Sequence, residues 1–259
     1  MNLSMNEYED AERYLDDRTV DKDFYNRLRV LANYYRDEGN NERSIREKLK
    51  EYVSYCGESP SLNVWSDMID AAIKRSKKVK LIKIDSIPIT QSEMDKIEAL
   101  EGTQLKRLAF TLLCLSKYRD KIVDNNNHWV CYEDKDIMRL ANMKPSLKRI
   151  GYLYRTLEEI GYLKFPQSNS SISMQVLFAD DNLDDVVLNV TLMKNLGYQY
   201  LKYKGEPYFE CESCGLTVKI KNKHVGRPPK YCDQCAALIH AKQMTDAVMR
   251  IRNGKYEPA

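Results

Sequence analysis

The sequence predicts a mainly α-helical protein with small β elements, on three observations. Amphipathic helical periodicity recurs from residue 21 to residue 160, short β-type runs occur only between or after those helices, and four C-terminal cysteines are spaced to hold a metal ion. The order expected is an N-terminal helical region (1–85), a second domain of helices closed by a hairpin (86–180), a linker (181–207) and a small cysteine module followed by a helix (208–259).

A length of 259 residues suits two modest domains, and 43% hydrophobic with 31% charged residues is ordinary for a globular chain. The net charge of +3 is uninformative, but its distribution is not: residues 1–60 carry 14 acids and 10 bases, and residues 201–259 carry 6 acids and 11 bases. No apolar run approaches the 18 or so residues of a membrane span, and Met1 to Tyr14 is acidic and polar, unlike a secretion signal. The expectation is a cytoplasmic protein with no membrane partner.

Along the chain, Leu28, Leu31, Ala32 and Tyr35, then Ile45, Leu49, Tyr52 and Val53 after Gly39-Asn40-Asn41, predict an antiparallel helix pair. The N-terminal helical region is expected to mediate self-association, as a homo-oligomer, or partner binding. Trp65, Met68, Ile69, Ala72 and Ile73 predict a third helix running into Lys74, Arg75, Lys77, Lys78, Lys80 and Lys83. That basic stretch reads either as a phosphate-facing surface or as the cationic C-terminus a helix dipole favours. Ile87 to Thr90 reads as an extended linker, with Thr90 and Glu93 forming a capping box at the next helix.

Leu105, Leu108, Ala109, Leu112 and Leu115 predict a buried helix, and His128 to Tyr132 a short strand. Glu133 to Ala141 predicts a short helix, and Asn142 to Pro145 a tight corner. The helix from Ser146 to Ile160 carries Leu147, Ile150, Leu153, Leu157 and Ile160 on one stripe and Lys148, Tyr152 and Arg155 opposite, with Arg149 beside them. Gly161 ends it, and Tyr162 to Phe165 and Ile172 to Phe178 predict two strands.

Helix, strand, helix, tight turn, helix, hairpin is the order of a winged helix-turn-helix. Asp136 to Ala141 and Leu157-Glu158-Glu159-Ile160-Gly161-Tyr162-Leu163 resemble winged-helix DNA-binding domains over roughly residues 100–178. The layout of the chain is also similar to phage or mobile-element proteins of Gram-positive bacteria, among them replication organisers and transcription regulators. The resemblance implies binding of double-stranded DNA. Lys144, Ser146, Lys148, Arg149, Tyr152 and Arg155 are the candidate contacts, because the N-terminal part of a recognition helix lies in the major groove, where Arg and Lys read guanine.

Cys211 and Cys214 form one C-x-x-C pair and Cys232 and Cys235 a second, with 17 residues between the pairs. Two-residue spacing lets both thiolates of a pair face one ion, Gly215 permits the sharp turn behind the second sulfur, and four soft ligands suit one structural Zn2+. With every position filled by protein, no coordination site remains for a substrate. The segment resembles a zinc ribbon, with Tyr208 to Glu210 and Leu216 to Ile220 as hairpin strands. Cys56, Cys114 and Cys131 read as small core residues, and His224 and His240 as bystanders.

Between the cysteine pairs, Lys219, Lys221, Lys223, Arg227 and Lys230 occur without an acid, and the three alternating lysines share one strand face able to track phosphates. Gly226-Arg227-Pro228 resembles in part the core of an AT-hook, although Val225 stands where that motif has a base. No nucleophile elbow, phosphate loop or metalloprotease helix is present, and Asp180-Asp181 and Asp184-Asp185 read as turn residues before nuclease ligands, so no catalytic residue is assigned. The expectation is a non-enzymatic DNA-binding protein. The alternative is an adaptor docking onto a polymerase or replication complex without touching nucleic acid.

Overall fold

The computed structural model describes residues 3–17, 19–59, 62–166, 173–220 and 229–252, and side chains to 249. It is mainly helical with small antiparallel sheets and divides into two compact units, residues 2–86 and the remainder from Ile87.

The first unit holds α1 (Glu7–Asp16), α2 (Phe24–Asp37), α3 (Glu42–Tyr55) and α4 (Asn63–Ser76). The expected pair is α2 and α3: Leu28, Leu31, Ala32, Ile45, Leu49 and Val53 are fully buried and meet Ile69 and Ala72 of α4. Asn41 caps α3 by accepting the Ser44 N–H at 3.0 Å. α1 was not expected. It seats Ala11 and Tyr14 in this core, and its Glu7, 2% exposed, pairs with Arg29 and accepts the Ile82 N–H at 3.0 Å. In the basic stretch after α4, Lys77 pairs with Glu42 at 2.6 Å.

The second unit runs β1 (Ile87–Thr90), α5 (Gln91–Glu98), α6 (Thr103–Ile122), β2 (Trp129–Val130), α7 (Asp134–Leu140), α8 (Leu147–Glu159), β3 (Leu163–Lys164), β4 (Met174–Val176), β5 (Val186–Val190), α9 (Leu196–Tyr203), β6 (Tyr208–Glu210), β7 (Thr217–Lys219) and α10 (Asp233–Arg252). α6 is buried on most sides from Leu105 to Tyr118, as its apolar sequence requires of a central helix. β2, β4 and β3 form a three-stranded antiparallel sheet in that spatial order. The Thr90–Glu93 capping box forms, and the Glu93 side chain, fully buried, pairs with Lys117 at 2.7 Å and accepts the Asp180 N–H at 2.7 Å.

Four expectations are corrected. Residues 181–207 are not a linker: β5 pairs antiparallel with β1, itself a strand and no linker either, and α9 buries Leu196, Tyr200 and Leu201 against α6. The boundary at residue 180 therefore falls inside one compact unit. In α8, Ile150, Leu153 and Leu157 are buried, but Leu147 is 84% and Ile160 47% exposed, because the ends of the stripe extend past the surface it packs on. Tyr154, one turn after Ile150, fills the buried face instead. Of the three scattered cysteines only Cys114 is fully buried; Cys131, one residue beyond β2, is exposed.

Candidate functional site

The cysteine module is built from local turns. β6 and β7 pair as expected, Tyr208 opposite Lys219 and Glu210 opposite Thr217. The first Cys pair caps this hairpin: the Cys211 N–H donates to Leu216 O at 3.1 Å, the Gly215 N–H donates to Cys211 O at 2.9 Å, and Gly215 takes φ of 68°, the left-handed turn the sequence called for. The second pair is set by a helix. Cys232 immediately precedes α10, and its Sγ accepts the Cys235 N–H at 3.5 Å, the i to i+3 bond of an N-cap side chain.

The two pairs converge. All four Sγ atoms lie within 4.8 Å of one another, with Cys214 and Cys232 at 3.9 Å. A tetrahedral ion with metal–sulfur bonds of about 2.3 Å needs sulfur–sulfur edges of roughly 3.8 Å, so the four thiols fit such an ion. Burial disfavours the Cys211 thiolate, but backbone N–H groups of Cys232, Cys214 and Ser213 outweigh it and bring the thiol down to about 6. At Cys214 burial dominates, the neighbouring thiols add to it, and the thiol is pushed up to about 12.

No family model, curated protein or solved structure matches the chain. Among the described residues no helix is long and apolar enough to cross a membrane.

The expected nucleic-acid contacts on and before α8, Lys144, Ser146, Lys148, Arg149, Tyr152 and Arg155, are all exposed. The fold gives several of them partners. Ser146 caps α8, its Oγ accepting the Arg149 N–H at 3.3 Å; the Arg149 guanidinium lies 4.8 Å from the Tyr152 ring and donates to Gln104 at 3.1 Å; Arg155 pairs with Glu159 at 2.8 Å. Lys219 is exposed on β7, whereas Lys230 pairs with Glu212 at 3.1 Å across the cysteine module. Lys221, Lys223, Arg227 and His224 lie outside the described residues. His240 is exposed on α10, away from the thiol cluster set, and Asp180 accepts from Ser92 Oγ at 3.0 Å and the Asn182 N–H at 2.9 Å, the turn role expected.

Two features escaped the sequence reading. Gly151 lies mid-α8 on the exposed face, and a Cβ there would meet nothing within 4 Å, so packing gives no reason for a residue that weakens a helix. The signal, a glycine inside a helical pattern, was readable. The second is the link between α8 and the cysteine module through α9. Asn195 Nδ2 donates to Thr217 O of β7 at 3.0 Å, and its Oδ1 accepts from Asn142 Nδ2 at 3.0 Å. Asn142, at φ of 54° in the corner between α7 and α8, accepts the Tyr198 N–H at 3.1 Å. Arg107 of α6 ties the same corner, donating to Ala141 O at 2.6 Å and to Asn142 O.

Proposed function

We propose that this protein binds duplex DNA through a winged helix-turn-helix spanning α6 to β4, with α8 as the reading helix and a zinc ribbon over residues 208–235 bracing it. What carries the reading is the open face of α8. Lys148, Arg149, Tyr152 and Arg155 stand exposed there around Gly151, on a helix whose other face is anchored by Ile150, Leu153, Tyr154 and Leu157. Arg and Lys on such a face suit phosphate and guanine, and a glycine with free space above it lets a groove wall approach the helix backbone. The strand order β2-β4-β3, with the hairpin following α8, supports the winged-helix assignment. Four cysteine sulfurs close enough to fill the four positions of a tetrahedral ion support a structural zinc. By resemblance, the setting is phage or mobile-element replication or transcription control.

One observation favours the adaptor reading: Leu147, at the exposed start of the apolar stripe of α8, is 84% exposed and offers an apolar anchor for a protein partner. Titration of labelled duplex across a salt series separates the two. Wild type is expected to bind with a steep salt slope. Gly151→Ala is expected to stabilise the fold by about 0.5–1 kcal/mol and yet to weaken duplex binding about tenfold or more, as is Arg149→Ala with Arg155→Ala. No duplex binding at low salt moves the function to the adaptor; variants with wild-type affinity remove α8 from the interface.

A further inference from the structure

Beside α8, α7, the corner after it and α9 border a half-open pocket of about 430 Å³ lined by Lys135, Arg139, Asn142, Lys144, Asn195 and Tyr198, together with Met143. No acid lines it. Lys135 and Arg139 stand one turn apart on the same side of α7, and Lys144 closes the rim from beyond the corner. Their acidic neighbours, Glu133 at 2.6 Å from Lys135 and Asp136 at 2.9 Å from Arg139, lie outside the pocket wall. Behind it sits a fourth cation. The Arg107 guanidinium lies 5.7 Å from the Tyr198 ring centre and is half-buried, and the hydrogen bonds it makes to the corner go to the carbonyls of Ala141 and Asn142, which leave its charge uncompensated. A half-buried cation behind a wall rimmed by three more gives a half-open pocket with a positive field and room for an anionic group.

We propose that this pocket is a phosphate site. Resting on the duplex-binding reading above, the phosphate it takes is one of the DNA backbone beside the segment that α8 reads. Lys135, Arg139 and Lys144 neutralise the group, and the Asn142–Asn195 hydrogen bond holds the two walls together. The site is therefore half built by α9, which the cysteine module positions through Thr217.

The test uses the full zinc-loaded chain and two probes, inorganic phosphate and a duplex. Backbone amide resonances of Asn142, Lys144, Asn195 and Tyr198 are followed as phosphate replaces chloride at constant ionic strength, in wild type and in Lys135→Gln with Arg139→Gln. Both substituted side chains are more than half exposed, so the fold is retained. The expected result is saturable shifts in wild type that are lost in the variant, and a duplex salt slope reduced in the variant by about 0.9, one phosphate contact. Phosphate shifts with an unchanged slope keep the site and assign it to a free phosphate ester instead of the DNA backbone. Absence of phosphate shifts in wild type overturns the proposal, even where the variant binds duplex more weakly, since that loss then reflects only the long-range field. If wild type binds no duplex, the functional reading fails while the phosphate titration still decides the site.

Discussion

Glu98, at the end of α5, accepts the Tyr200 hydroxyl at 2.6 Å and pairs with Lys106 at 3.1 Å and Lys204 at 3.2 Å, so one carboxylate fastens α9 to α5 and α6. Burial by itself favours the protonated acid, but hydrogen bonds from Tyr200, Lys106 and Lys204 outweigh it and hold the carboxyl below its ordinary value. Because the folded carboxyl titrates below the unfolded one, its stabilisation is full above a pH of about 4.3 and is lost as pH falls through the folded value. Thermal melts of wild type and Glu98→Gln are therefore expected to differ most at neutral pH and to converge as the pH falls below the ordinary carboxylate range. Parallel curves at every pH would show that the carboxylate does not supply this link. Tyr200→Phe is expected to cost about 1.5–3 kcal/mol in the same melts, the loss of one hydrogen bond to a charged acceptor.

At the scale of elements, what was legible in the sequence is what is decided locally. The Thr90–Glu93 capping box, the left-handed Gly215 and the two C-x-x-C turns each depend on a few adjacent residues, and all take the form their sequence dictates. β5 and α9 do not have that property. Val186 to Val190 becomes a strand because it finds β1 about a hundred residues earlier, and the acid pairs before it made the whole segment read as linker. Leu196, Tyr200 and Leu201 carry a helical repeat, but eight residues are too few to stand out without α6 to pack on. Gly197 shows how tight that packing is. A Cβ there would lie 2.0 Å from the Ala141 carbonyl oxygen, a backbone atom that cannot swing aside. Gly197→Ala is expected to destabilise the second unit by about 1–3 kcal/mol, in spite of alanine's better helix propensity, and to raise hydrogen exchange at residues 195–203 and at the Asn142 corner. Gly151→Ala, on open ground in α8, has the opposite expected sign, so helix propensity alone cannot account for both results.

For the whole molecule, the division into two units would make the influence of a metal held by the four cysteines regional. Residues 2–86 own a core in which Phe24, Leu28, Leu31, Ile45, Leu49 and Ile69 bury one another. Among its described residues the cysteine module has no comparable core: Cys211, Cys232 and Cys235 are themselves the buried ones, with Val218 packed against them. A metal ion in that position supplies folding energy outright, on the order of 10 kcal/mol in comparable small modules. Elemental analysis is expected to find one zinc per chain. A strong chelator is expected to raise hydrogen exchange first over residues 208–219 and then, through Thr217, Asn195 and Asn142, over α9 and the corner ahead of α8. α2 and α3 should keep their protection, and the far-UV helical signal should fall only modestly. Loss of protection confined to residues 208–219 would mean that the Asn195 link is too weak to transmit the effect of metal removal to α8. Equal loss in α2 and α3 would mean that the two units do not unfold separately.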